Sequence, residues 1–114
     1  MIKVIILITT YNLEKYIGQC LDSVLNQKTK FDYKILVGDD ASTDGTIEIL
    51  RKYQKKYPSK IELVLRGKNI GSLANSLELY EKCNAEYFAF LDGDDFWLTD
   101  GRLQKQVDFL EGNR

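Results

Sequence analysis

The segment Lys3-Val4-Ile5-Ile6-Leu7-Ile8-Thr9 constrains the fold more than any other in the chain. It is rich in β-branched residues, apolar at nearly every position and too short for a helix. That is the pattern of a strand buried on both faces, central in a parallel sheet. Such a strand needs a covering layer on each side, and the residues after it supply helices. Past Thr10-Tyr11-Asn12, the residues Leu13, Ile17, Leu21, Val24 and Leu25 recur at helical spacing, with Asn12 as the expected N-cap. Tyr33 to Gly38 reads as a second strand. A second helix, carried by Ile47, Leu50 and Gln54 to Tyr57, is closed by Pro58, the sole proline. Ile61 to Leu65 makes a third strand, Leu73, Leu77 and Tyr80 mark a third helix, Glu86 to Leu91 a fourth strand, and Leu103, Val107 and Leu110 a terminal helix.

Four strands alternating with helices predict right-handed βαβ units: an α/β fold of Rossmann-like, three-layer α/β/α type around a mostly parallel sheet. The 114 residues, 44% of them apolar and 29% charged, suit one domain over 1–114 with one modest core. No internal repeat, low-complexity segment or linker interrupts it.

Composition removes several function classes. With 16 basic against 17 acidic residues the net charge is -1, so the field of the chain favours neither nucleic acid nor an anionic membrane surface. The longest apolar run, Val4 to Ile8, is far short of a transmembrane segment and makes a poor signal peptide, so the chain reads as cytoplasmic. Cys20 and Cys83 stand apart in helical patterns and read as two buried thiols. There is no histidine, so any chemistry runs on carboxylates. No G-x-x-x-x-G-K-[ST] loop is present, and no G-x-G-x-x-G follows the first strand, which argues against a P-loop NTPase and a dinucleotide oxidoreductase.

In open α/β sheets, ligands bind beyond the carboxyl ends of the strands. Three loops of interest fall there: Thr10-Tyr11-Asn12, Asp39-Asp40 with Ala41 to Thr46, and Asp92-Gly93-Asp94-Asp95. The last sets three carboxylates around one glycine, where mutual repulsion calls for a cation. Oxygen ligands at i, i+2 spacing suit Mg²⁺ or Mn²⁺, which complete their shells from water and substrate phosphates. Tyr11 offers a flat face and a hydroxyl to a nucleobase. Asp39, at the strand end before the turn, is placed to accept a hydrogen bond from a ligand N–H, whereas Ser42 to Asp44 also read as helix-capping residues. Phe96 and Trp97, like Tyr53, Tyr57 and Tyr80, read as core and helix-surface packing rather than as a ligand platform.

The order of these motifs resembles that of the family 2 glycosyltransferases with the GT-A fold. Thr9-Thr10-Tyr11-Asn12 is similar to the family's P-T-Y-N turn, Val37 to Thr46 to its V-D-D-G-S-T-D-G-T segment, and Leu91 to Trp97 to its L-D-x-D-D-x-W segment; Arg102 to Leu110 resembles the following K/R-L-x-K-Q-V-x-F-L helix. The resemblance implies that Thr10 and Tyr11 line the base pocket of a nucleoside-diphosphate sugar, a UDP-sugar by preference, and that Asp39 accepts a hydrogen bond from the base. Asp92 and Asp94 become the D-x-D pair beside the ribose and the Mn²⁺ or Mg²⁺, and Asp95 is a third candidate ligand.

The implied reaction is metal-dependent, inverting transfer of the sugar to a hydroxyl acceptor, saccharide or lipid-linked, in cell-surface polysaccharide or glycan synthesis. The implied location is cytoplasmic, extending to the inner face of the membrane. Two departures stand out: Thr9 replaces the family's proline, and Ser72-Leu73-Ala74-Asn75 replaces its Ala-Arg-Asn, leaving Lys68 as a substitute basic contact. The resemblance also implies a longer enzyme whose general base lies beyond Arg114, a truncated sheet and, from its uncovered apolar surface, self-association. Three rivals share parts of the pattern. A receiver domain wants paired acids where Thr9 to Asn12 stand, and a nucleotidyltransferase wants a glycine-rich, arginine-containing first loop. A non-catalytic nucleotide-sugar-binding or assembly domain of the same fold shares the whole pattern.

Overall fold

The structure, a computed structural model, describes residues 1–112. Its elements follow the predicted order: β1 (Ile2–Thr10), α1 (Ile17–Leu25), β2 (Tyr33–Asp39), α2 (Thr46–Lys56), β3 (Ile61–Leu65), α3 (Ser72–Lys82), β4 (Ala85–Asp92) and α4 (Arg102–Gly112). The four strands form one sheet in the order β3-β2-β1-β4, and every pairing is parallel. This is the α/β arrangement expected from the strand and helix patterns.

Side chains alternate across the sheet as the pleat requires. Val4, Ile6 and Ile8 of β1 and Tyr33, Ile35 and Val37 of β2 point to one face. There they pack with Ile17, Cys20, Leu21 and Val24 of α1, Leu50 of α2, and Trp97, Leu103 and Val107 at α4. On the other face Leu7, Leu36 and Leu79 of α3 form a smaller cluster, edged by Ile5, Val64 and Cys83. The central strand is buried on both faces, as its composition demands, but the layers are unequal: three helices against one.

The structure corrects three readings of the sequence, the first through that inequality. Leu73, Leu77 and Tyr80 mark α3, yet they are 73%, 52% and 50% exposed, and α3 buries Asn75 and Leu79 instead. The helix lies over β1 and β2, and its stripe turns away from them, with Tyr80 reaching Phe88 of β4 on a flank that no further helix covers among the described residues. Phe88 and Phe90 of β4 stay about half exposed for the same reason. Cys20 is buried as expected, but Cys83 lies just past the end of α3 in extended backbone and is only half-buried. Lastly, Asn12 is not the cap of α1. The helix begins four residues later than its periodicity implies, at Ile17, after a hydrogen-bonded turn from Leu13.

Candidate functional site

The chain winds from β1 outward through β2 to β3 and then returns to place β4 on the opposite side of β1. The crevice of such a sheet opens where the winding reverses, above the carboxyl ends of β1 and β4. Register brings the motifs to one level, with Thr10 opposite Asp39 and Thr9 opposite Asp92. A cavity of about 340 Å³ lies there, lined on one side by Thr9, Thr10, Tyr11 and Asp40 and on the other by Asp92 and Asp94.

The two loops on the β1–β2 side are fastened together by side chains. Asn12 adopts φ 52°, a left-handed conformation that Asn tolerates better than most residues. From there its Oδ1 accepts the Thr43 N–H at 2.7 Å and the Asp44 N–H at 3.3 Å, while its own N–H donates to Ser42 Oγ at 2.9 Å. Leu13 N–H donates to Thr46 Oγ1 at 2.8 Å. The backbone donors that would have opened a longer α1 are thus satisfied across the loop. Asp44 accepts from the N–H and hydroxyl of Thr46 at 2.9 and 2.6 Å, so the predicted turn chemistry is present. Burial works to raise the Asp44 carboxyl, but the bonds from Thr46 and from Glu14 N–H outweigh it and hold the group below its ordinary value.

The paired aspartates at the end of β2 divide their tasks. Asp39 is fully buried; its carboxylate accepts from the Thr10 hydroxyl at 2.7 Å, the Ser42 hydroxyl at 2.6 Å and the Ser42 N–H at 2.9 Å. It stands behind Thr10 rather than on the cavity surface. Asp40 does line the cavity. Its two carboxylate oxygens accept the Ile70 and Gly71 N–H groups at 2.7 and 3.0 Å, and its carbonyl accepts from Asn69 Nδ2 at 3.2 Å. This latches the loop between β3 and α3 onto β2 and makes Asn69, Gly71, Ser72 and Asn75 part of the cavity wall. Asn75 is nearly fully buried; it donates to Gly38 O at 2.9 Å and accepts from Arg66 Nε at 2.9 Å, while the Arg66 guanidinium also pairs with Glu78. Sequence reasoning placed Asp40 in a loop of interest and Asn75 at a departure from the family pattern but gave neither a role. The signal for Asn75 was a polar residue at the sheet-facing position of α3, beside a glycine in the facing strand. Lys68, the substitute basic contact, lines a separate surface cavity with Arg66, Gly67 and Ile70 and does not line this one.

Opposite, the acidic turn begins with Asp92 as the last residue of β4 and closes with the Asp95 N–H donating to Asp92 O at 2.9 Å. Gly93 is packed hard against β1: its N–H donates to Thr9 O at 2.9 Å, and a Cβ there would come within 2.9 Å of that oxygen and 2.8 Å of Thr10 Cγ2. The carboxylates of Asp92, Asp94 and Asp95 are exposed, and each offers an oxygen within 4.8 Å of the others. Three oxygen donors converging at a surface, with room for water and a further ligand, fit the demands of Mg²⁺ or Mn²⁺. Beneath the turn, burial and then the charges of Asp95, Asp94 and Asp92 push the Cys20 thiol up to about 12, so it stays protonated. Its Sγ lies 3.7 Å from Asp92 O.

Residues 5–114 match the family described as Glycosyl transferase family 2. The chain belongs to that family. A poly(ribitol-phosphate) beta-glucosyltransferase of Bacillus spizizenii is 38% identical over 103 residues, 90% of this chain and 16% of that protein. An uncharacterized protein of Mycobacterium tuberculosis is 39% identical over 102 residues, 90% of this chain and 30% of that protein. Among solved structures, S. aureus TarS 1-349 in complex with UDP superposes with a TM-score of 0.83 at 28% identity, covering 96% of this chain and 32% of that one. The mannosyltransferase PcManGT of Pyrobaculum calidifontis, in complex with GDP-Man and Mn²⁺, gives 0.85 at 25% identity and the same coverage. This family 2 chain therefore has the GT-A arrangement and spans a third or less of the length of these relatives. Among its described residues no helix is long and apolar enough to cross a membrane.

Proposed function

We propose that this family 2 chain binds a nucleoside-diphosphate sugar in the cavity between the β1 and β4 loops. It would serve transfer of that sugar, with inversion, to a hydroxyl acceptor in cell-surface polysaccharide or glycan synthesis. The observation that carries the reading is the facing of two unlike walls across one 340 Å³ cavity: Thr10, Tyr11 and Asp40 on one side, and the Asp92 and Asp94 carboxylates on the other. The solved relatives in complex with UDP, UDP-GlcNAc or GDP-Man support it.

In this reading Tyr11, 47% exposed, lays its ring against the base. Thr10 contributes its backbone and methyl group, its hydroxyl being engaged by Asp39. Asp39 acts through Thr10 and Ser42 by fixing the loop, while Asp40 forms the cavity surface on the base side. Asp92, next to Thr9, meets the ribose, and Asp92, Asp94 and Asp95 would hold Mg²⁺ or Mn²⁺. When bound, the cation neutralises charge that builds on the departing diphosphate. A cytoplasmic location, reaching the inner face of the membrane, accompanies this proposal.

Thermal unfolding tests it. UDP or GDP with Mn²⁺ is expected to raise the melting temperature, by about 2.7 kcal/mol of stabilisation at a hundredfold excess over Kd. Neither nucleotide is expected to act without the metal, and Asp94→Asn should abolish the effect. A chain that ignores every nucleotide, or an Asp94→Asn variant that responds unchanged, would sink the assignment.

A further inference from the structure

Residues 93–101 carry the chain from β4 to α4 without a helix or strand, and the acidic turn is their first part. Its near end is fixed by β1, through the Gly93 N–H and Thr9 O. The chain beyond its far end is held by α1. Cys20, Ser23 and Gln27 follow at i, i+3 and i+7, the spacing of one helix face, with Gln27 just past the C-terminal end. That face runs along the chain from Asp92 to Leu103. Cys20 Sγ lies 3.7 Å from Asp92 O, and Ser23 Oγ accepts the Trp97 N–H at 3.0 Å. Gln27 Nε2 donates to Thr99 O at 2.6 Å, while its Oε1 accepts the Leu103 N–H at 2.9 Å.

The stripe is also tied to itself. Ser23 Oγ donates to Cys20 O at 2.7 Å, and Gln27 Nε2 reaches Ser23 O at 3.2 Å. The residues after α1 extend the same contact, with Lys28 N–H donating to Asp100 O at 2.8 Å and Lys30 N–H to Gln104 Oε1 at 2.7 Å. Gln27 is the central member: it is buried, and both ends of its amide are engaged, so the side chain cannot turn without releasing two parts of the chain at once. Removing the amide leaves the buried Leu103 N–H, in the first turn of α4, without its acceptor. Trp97, seated in the larger core, lies two residues past Asp95, so slack introduced at Thr99 and Trp97 reaches the turn over a short length of chain.

The geometry points to Ser23 and Gln27 as positioning residues for the acidic turn. By holding Trp97, Thr99 and Leu103 they fix the chain that leaves Asp95, and so keep the Asp92, Asp94 and Asp95 carboxylates converged. Neither side chain lines the donor cavity, so both act through the segment they hold. The consequence for metal and nucleotide rests on the donor-site reading, whereas the ordering of the turn does not. The competing role, a cap that only stabilises α4, differs in where a loss would be felt.

Amide hydrogen exchange followed by NMR, with no metal or nucleotide present, reads the turn directly. Gln27→Ala is expected to speed exchange at Gly93 and Asp95 about tenfold more than at Ile35 and Val37 of β2. Gln27→Met, which keeps the length and bulk but neither bond, should match alanine and serves where alanine fails to fold. UDP or GDP is then titrated calorimetrically at fixed Mn²⁺, at a temperature where circular dichroism shows each variant folded. Gln27→Ala and Ser23→Ala should each weaken binding about tenfold. Leu79→Ala, which destabilises the sheet from its opposite face, should bind as the parent does. Exchange that quickens only from Thr99 to Leu103, with Gly93 and Asp95 at parental rates, overturns the proposal and leaves Gln27 as a cap of α4. A Leu79→Ala variant that loses as much affinity as Gln27→Ala overturns it too. A parent chain that binds neither nucleotide removes the donor-site reading, while the exchange measurement still decides whether Ser23 and Gln27 order the turn.

Discussion

At the residue scale, the cavity is shaped by positions where the backbone leaves the ordinary regions or leaves no room for a side chain. Ala41 has φ 62°, a left-handed conformation that costs an L-residue with a Cβ about 1 kcal/mol. The glycine of the family's V-D-D-G-S segment stands where this chain has Ala41, which makes the strain intelligible. Ala41→Gly is expected to stabilise the fold by about 0.5 kcal/mol, the relief of strain exceeding the extra freedom of glycine in the unfolded chain, and chemical denaturation measures it. Gly93→Ala runs the other way. The added methyl group would meet the Thr9 carbonyl, which cannot move without breaking the β1–β4 register, so a loss of about 1–3 kcal/mol and of the metal-dependent nucleotide shift is expected. An unaltered melting curve for Gly93→Ala would count against that packing. Asp44 gives a pH signature. Its folded pKa lies below its ordinary value of 3.8, so the stability it contributes is present above that value and is lost as pH falls through the folded pKa. Asp44→Asn should therefore narrow the stability difference between pH 5 and pH 2 in urea titrations, though only modestly for a group partly open to solvent.

At the element scale, the difference between α1 or α4 and α3 explains what could be read from sequence. The apolar positions Ile17, Leu21 and Val24, like Leu103 and Val107, face a core and were legible as core because period and burial coincide. In α3 the same kind of period, Leu73, Leu77 and Tyr80, points along the helix flank, while Asn75 and Leu79 meet the sheet. Periodicity reveals a helix but not which neighbours exist to cover its stripe. The convergence of the Asp92, Asp94 and Asp95 carboxylates was legible because it is local to four residues. The roles of Asp39 and Asp40 were not, because they depend on which loop folds back: Ser42 turns to Asp39, whereas Ile70 and Gly71 come from thirty residues away to Asp40. The start of α1 was misread for the same reason, since Asn12 bonds a loop distant in sequence. A pair of truncations separates period from burial on α3. Leu79→Ala is expected to cost about 2–5 kcal/mol as a cavity in the smaller core, and Leu77→Ala within about 0.5 kcal/mol. Equal losses in denaturant midpoints would contradict the placement of the helix.

At the scale of the molecule, the unequal layers have a consequence in solution. Leu73, Leu77 and Tyr80 of α3 are exposed, as are Phe88 and Phe90 of β4, and the two elements meet at Tyr80, which stands edge-to-face with Phe88 at 5.1 Å, with Phe88 and Phe90 in turn at 5.5 Å. This aromatic and aliphatic strip lies on the sheet face that only α3 covers, next to a strand that pairs with β1 on one side alone among the described residues. Exposed apolar strips and sheet edges both favour association, and a net charge of -1 with a sequence pI near 5.5 offers little repulsion against it. The 13.2 kDa chain is thus expected to show a scattering mass that rises with concentration. The rise should be steeper with added sulfate, because excluded salts strengthen apolar burial, whereas screening of an ion-pair contact would flatten it. Phe88→Lys combined with Leu77→Lys places two cations on the strip without touching the core of the sheet. It should restore the monomer mass and leave the nucleotide-dependent melting shift unchanged, since neither residue lines the donor cavity. A parent chain that stays at 13.2 kDa at high concentration in sulfate would show that the strip is too small to hold a second copy.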